Sequence, residues 1–164
     1  MKQTRKSIFP VLVAVFLPLS TLGVQVEDDA MILVAGQASL IRAQTWIDFL
    51  TKNEVTVQHY VLSELSEVKN KPYITIMGGL EETGIQDILN EVIGAAETAS
   101  LASEGAKKMF LKEDVWKPGQ KVLVFAGNDA EEAAAIRTES RETWMEYLEE
   151  WFDMEEIPGG LRAY

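Results

Sequence analysis

Three times along this chain an apolar run ends in glycine and a helical pattern follows. The runs are Ala30-Met-Ile-Leu-Val-Ala-Gly36, Pro72-Tyr-Ile-Thr-Ile-Met-Gly-Gly79 and Lys121-Val-Leu-Val-Phe-Ala-Gly127. None alternates strictly between apolar and polar residues, so each suits a strand covered on both faces, as parallel sheets require. The glycines Gly36, Gly78 and Gly127 are 42 and 49 residues apart, too irregular for a solenoid but natural for successive β/α units of one sheet. Val55-Thr-Val-Gln-His-Tyr-Val61 is β-branched and adds a further strand. The expected fold class is therefore α/β. It should be a small three-layer sandwich, with a mainly parallel sheet of about four strands (31–35, 55–61, 73–77 and 121–126) and helices on both faces.

The segments between these strands carry helix signals. Leu40, Ile41, Ala43, Trp46, Ile47 and Leu50 recur at helical spacing, as do Ile85, Ile88, Leu89, Val92 and Ile93. Thr83-Gly-Ile-Gln86 fits a capping box for the second of these helices. A short helical piece is expected over 97–103. Lys107 to Val115 reads as a strand or an extended arm, and Trp116-Lys-Pro-Gly-Gln120 as a turn, with Pro and Gly supplying its two corner conformations. The last helix should be the longest, with Ala133, Ile136, Ser140, Trp144, Tyr147, Leu148 and Trp151 along one side. Aromatic residues at that spacing, with Phe152 beside them, belong to a core rather than to an interaction stripe.

The N-terminal segment has a different character. Met-Lys-Gln-Thr-Arg-Lys6 is basic, Ser7 to Val24 carries no charge, and Val26-Glu-Asp-Asp29 turns acidic. That layout predicts a secretory signal over 1–23 or, uncleaved, an N-terminal anchor, then a short acidic linker over 24–29. A single α/β domain should cover 30–157 and a C-terminal tail 158–164. With no cysteine in the chain, neither a lipidated Cys nor a disulfide is possible, and an exported domain would stand on its core alone. Hydrophobic residues make up 47% of the chain, enough to build that core. Removing 1–23 would take away Lys2, Arg5 and Lys6 and no acid, moving the formal net charge from −11 to −14. Such a domain repels nucleic acid and anionic headgroups, so nucleic acid is excluded as a partner and a membrane is reached only through an uncleaved N-terminal segment.

Catalytic motifs are missing where they would be recognisable. The strand-to-helix corners have neither G-x-G-x-x-G nor Gly-Lys-Ser/Thr, and Gly78-Gly-Leu-Glu-Glu-Thr-Gly84 has the wrong spacing. Asp129, Glu131 and Glu132 at one corner, and Glu81 and Glu82 at another, would answer the positive helix ends themselves. Asn128 with Glu131, or Asp129 with Glu132, has the spacing of a helix cap. The single histidine, His59, falls within a strand and reads as a partly buried strand residue rather than a base. No serine lies in G-x-S-x-G, and the acidic run from Glu139 to Glu156 lacks the alternation of an EF-hand loop. No cofactor and no metal is expected. N-glycosylation is not expected either, because no Asn-x-Ser/Thr sequon occurs.

Three stretches carry a resemblance: Tyr73-Ile-Thr-Ile-Met-Gly-Gly79 before a helix, Val115-Trp-Lys-Pro-Gly-Gln120 before a strand, and Val122-Leu-Val-Phe-Ala-Gly-Asn-Asp129 before an alanine-rich helix with Arg137 and Thr138. Over roughly 30–150 the chain resembles the α/β domains of archaeal and bacterial surface-layer and cell-envelope proteins. It is similar also to the second type of cell-wall-binding repeat, although Ala130 stands where that repeat has an arginine. The resemblance implies a non-catalytic envelope domain whose partner is a cell-envelope protein or polymer. The alternative is an exported, hydrolase-like α/β enzyme with its site at the carboxyl edge of the parallel strands. If a ligand binds, Gly36, Gln37, Gly78, Gly79, Asn128 and Asp129 are the expected contacts, because all six follow strands that should run parallel. Their polar groups suit hydrogen-bonded recognition of sugar hydroxyls, or a cation at Asp129, better than bond cleavage.

Overall fold

The computed structural model describes residues 30–154. The expected signal, the acidic linker and the C-terminal tail lie outside the described residues. Strand β1 (Met31–Ala35) is wholly buried along its length, as its unbroken apolar run requires. It pairs in parallel with β2 (Val57–Val61) on one side and β3 (Tyr73–Gly79) on the other. Strand β3 pairs in parallel with β5 (Lys121–Gly127), from Tyr73 opposite Lys121 to Gly79 opposite Gly127. Strand β4 (Lys107–Glu113) closes that side, antiparallel to β5. The order is β2-β1-β3-β5-β4.

The sheet thus has five strands rather than about four, and one edge is antiparallel. The segment expected as a strand or arm is β4, joined to β5 through the predicted Trp116–Gln120 turn. An antiparallel strand can follow its partner through so short a link, whereas a parallel one needs a crossover. Within that turn Gly119 adopts φ +79°, and Asp114 accepts a hydrogen bond from its amide (2.6 Å). Gln120 is fully buried. Its Nε2 donates to Lys69 O and Lys71 O (both 2.8 Å) and its Oε1 accepts from Trp116 N (3.0 Å), tying the turn to the loop before β3.

Side chains alternate across β1 as a strand demands, sending Ile32 and Val34 to one face and Met31, Leu33 and Ala35 to the other. The first face is covered by α2 (Leu65–Val68), α3 (Ile85–Val92) and the Leu101 side chain beyond α4 (Ala95–Ser100). The second is covered by α1 (Gln37–Lys52), α5 (Ala130–Glu139) and α6 (Arg141–Phe152). On this second face Trp46 meets Phe125 and Trp144 edge-on, each at 5.7 Å, and Tyr73 stacks on Trp151. The aromatic stripe of the last helical segment is core, as its spacing predicts.

Four local expectations are corrected. The long final helix is two helices, and α1, with 16 residues, is the longest among the described residues. The break falls at Ser140, whose hydroxyl donates to Ile136 O (2.5 Å) while the Trp144 indole donates to Arg137 O (2.6 Å). The Ile136 carbonyl keeps its helical bond from Ser140 N (2.9 Å), but the Trp144 indole takes the Arg137 carbonyl, which a continuous helix would pair with the amide four residues on. The capping box at Thr83 does not form, because α3 starts one residue later, from Gly84 at φ +93°. The helical piece expected over 97–103 is α4, at 95–100. His59 is exposed rather than partly buried, since β2 is an edge strand.

Candidate functional site

The switch point of this sheet lies between β1 and β3, because the connection after β1 runs outward to β2 and those after β3 run the other way, to β4 and β5. In open α/β sheets, ligands bind in the crevice beyond such carboxyl ends. Here a cleft of about 460 Å³ occupies that place, lined by Gly36, Gln37 and Ala38, by Val61 at the end of β2 with Leu62 and Ser63 beyond it, and by Glu82 and Thr83 after β3. Gln37, Ser63 and Thr83 are exposed.

The floor of the cleft is organised by one carboxylate. Glu82 Oε1 accepts from Ala38 N (3.0 Å) and Ser39 N (3.1 Å), and Glu82 Oε2 accepts from Gly79 N (3.1 Å) and Ser39 Oγ (2.5 Å). Two of these amides open helix α1, whose N-cap is Gly36 and which has no capping side chain of its own. Glu82 therefore stands where a phosphate or other anion would sit on a helix N-terminus. Glu81 repeats the device, accepting from Ala130 N (2.7 Å) at the start of α5. The sequence pattern predicts that carboxylates answer the positive helix ends at these corners. In the structure Glu81 and Glu82 reach across to neighbouring helices, while Asp129 caps the helix it precedes.

The strand-end glycines make this closeness possible. A Cβ on Gly36 would lie 2.1 Å from Glu82 Oε1, and one on Gly79 would lie 2.1 Å from the backbone of Asp129. Gly78 is covered by Ile85, 2.6 Å from the same construction, and Gly127 by the backbone of Ala133 at 2.6 Å. At Gly79 and Gly127 the obstacle is backbone and no L side chain fits, so close backbone approach here serves the chain's own helices.

Of the six expected contact residues, Gly36 and Gln37 line the cleft, and the other four lie off its lining. Asn128 Nδ2 donates to Ala102 O (3.1 Å), and its amide donates to Ala106 O (2.7 Å), binding the loop before β4. Asp129 Oδ1 accepts from Glu132 N (2.8 Å), the predicted cap of α5. Of the exposed hydroxyls in the cleft, the sequence pattern did not single out Ser63, and it read Thr83 only as a helix cap. Nothing short of the fold marks them, because three separate corners contribute.

The chemistry available in the cleft is hydrogen bonding. The Ser39 hydroxyl is fully buried and donates to a carboxylate, a partner too weakly basic to turn an alcohol into a nucleophile. His59 sits at mid-strand opposite Leu33, away from the carboxyl end. Among the described residues no group of three or more His, Asp or Glu is placed to hold a metal ion, and no helix is long and apolar enough to cross a membrane. On the other side of the sheet Lys107 bridges Glu132 (2.9 Å) and Glu139 (3.1 Å), fastening β4 to α5. Hydrogen bonds from Lys107 to Glu132 first, and to Glu139 next, raise the pKa of its ammonium above the usual lysine value. No protein-family model matches the chain, and neither a curated protein nor a solved structure matches it significantly.

Proposed function

We propose that this chain is a non-catalytic binding module of the cell envelope, exported through its N-terminal segment, and that the switch-point cleft contacts a neutral polar polymer. The observation that carries the reading is the state of the carboxyl edge. Its strongest anion-binding amides are already taken by Glu82 and Glu81, so a phosphate or nucleotide would have to displace a carboxylate. What faces the cleft is an exposed amide at Gln37 and exposed hydroxyls at Ser63 and Thr83. Such groups donate and accept hydrogen bonds without carrying charge, which matches sugar hydroxyls. The acidic surface favours solubility and disfavours nucleic acid, in keeping with the same role.

Co-sedimentation of the folded protein with purified envelope polysaccharide tests this proposal. Gln37→Ala combined with Thr83→Val should weaken binding by about tenfold, the loss of roughly two net hydrogen bonds. Undiminished binding by that folded variant would remove the cleft from consideration. Release of new reducing ends would favour instead the exported hydrolase, with its site at the same edge.

A further inference from the structure

A second hollow, of about 90 Å³, opens between α1 and the α5–α6 junction, with Thr45, Trp46 and Phe49 on one side and Arg137, Thr138 and Arg141 on the other. It is independent of the cleft. Arg137 lies mostly out of water, and that burial lowers the pKa of its guanidinium. Its Nε is buried without a hydrogen-bond partner, and its Nη2 reaches only Arg42 O, at 3.3 Å. The guanidinium carbon lies 5.5 Å over the Trp46 ring, and that of Arg141 lies 5.3 Å over Phe49.

Neither arginine forms an ion pair with a carboxylate among the described residues. On α5, Glu131 pairs with Arg42 (3.8 Å) and Glu139 with Lys107 (3.1 Å). Two like charges four residues apart, lining one hollow, repel each other, and a buried unpaired cation is costly. Beside them the Trp46 indole Nε1 is also buried without a partner, in a residue only 3% exposed.

These groups donate and do not accept, so the complement they lack is an anion. The volume equals about three water molecules at their liquid share of ~30 Å³ each, which suits a carboxylate or sulfate group. Aromatic walls lower the local dielectric and strengthen the charge-assisted bonds. We propose that this hollow is a binding site for a small oxyanion, a carboxylate or sulfate group held by Arg137 and Arg141 beside the Trp46 ring. In a chain with formal net charge −11 the surrounding field repels free anions, so such a site selects by directed hydrogen bonds.

Nitrogen-15 NMR of the full chain tests the site, with sodium sulfate and sodium acetate in separate titrations against sodium chloride at matched ionic strength. The Trp46 indole and Arg137 Nε–H signals should move saturably at roughly millimolar anion. The Trp116 indole, bonded to Glu91 at 2.7 Å, should stay still. A response to acetate alone assigns a carboxylate, and a response to sulfate alone assigns a tetrahedral ion. Arg141→Gln, at a partly exposed position, should weaken binding about tenfold while circular dichroism stays unchanged. The proposal is overturned by absence of saturable shifts with both anions, by an equal response to chloride, or by undiminished affinity in folded Arg141→Gln and Arg137→Lys.

Discussion

Replacing Glu82 by alanine removes one acceptor from four donors at once: Ala38 N, Ser39 N, Ser39 Oγ and Gly79 N. Ala38 is exposed and regains water in the open cleft, so its bond counts for little. Ser39 and Gly79 are buried, and each donor left unmet there costs about 1–3 kcal/mol. The charge on the α1 N-terminus adds about 0.5–1 kcal/mol. Partial rehydration offsets some of this, and the expected loss is about 3 kcal/mol. For a domain of this size that corresponds to a fall in Tm of roughly 10 °C. Urea unfolding followed by circular dichroism measures it, and an unchanged denaturant slope would show that the native fold survives. Glu81→Ala serves as the internal comparison, because Glu81 accepts one hydrogen bond, from Ala130 N, and should cost about 1 kcal/mol. If Glu82→Ala cost no more than Glu81→Ala, the argument that this carboxylate clasps α1 to β3 would fail.

Three further outcomes follow from the packing. Gly79→Ala places a Cβ against the Asp129 and Ala130 backbone, which cannot swing aside, and should destabilise by about 3 kcal/mol in urea unfolding. Gln120→Leu leaves Lys69 O, Lys71 O and Trp116 N without the bonds Gln120 provides and should cost about 3 kcal/mol, with faster amide exchange at Trp116. Glu91 has a lowered pKa, through its hydrogen bond from Lys69 first and from the Trp116 indole next. Its contribution is therefore complete above the ordinary carboxylate value and lost as pH falls through the lowered one. For so exposed a pair it is below about 1 kcal/mol, so wild type and Glu91→Gln should converge in stability in acid.

The centre of the sheet was legible because β1, β3 and β5 are covered on both faces, which leaves an unbroken apolar run ending where the helix must begin. Strand β1 has the predicted bounds, and the other two extend only into their glycines. The edges were harder to read. Strand β4 has one buried residue, Phe110, among lysines and half-buried neighbours, so its run looked as much like an arm as a strand. Its signal lay in the turn that follows, since a Pro-Gly corner leading straight into β5 implies a hairpin. The break at Ser140 depends on the Trp144 indole reaching back to Arg137 O, a bond that helical periodicity does not encode. At the candidate site, local pattern located the corners and the Asp129 cap. It could not show that Glu82 serves a helix 43 residues earlier, because that contact exists only once β1 and β3 are neighbours.

The central place of β1 has a consequence for how the chain is made. Synthesis runs from the N-terminus, so Met31–Ala35 emerges before any of its partners. Strand β2 follows within about twenty-five residues and β3 within about forty-five, which at ~5–20 residues per second is a wait of a few seconds for the second neighbour. Through that interval the most apolar strand of the sheet has α1 and an edge strand for cover, and one full row of its amides and carbonyls is open. A ribosome pausing inside the α1–β3 segment would lengthen the exposure, and one pausing after β3 would not. Codon choice between residues 36 and 79 should therefore change the yield of folded protein more than codon choice between 80 and 154.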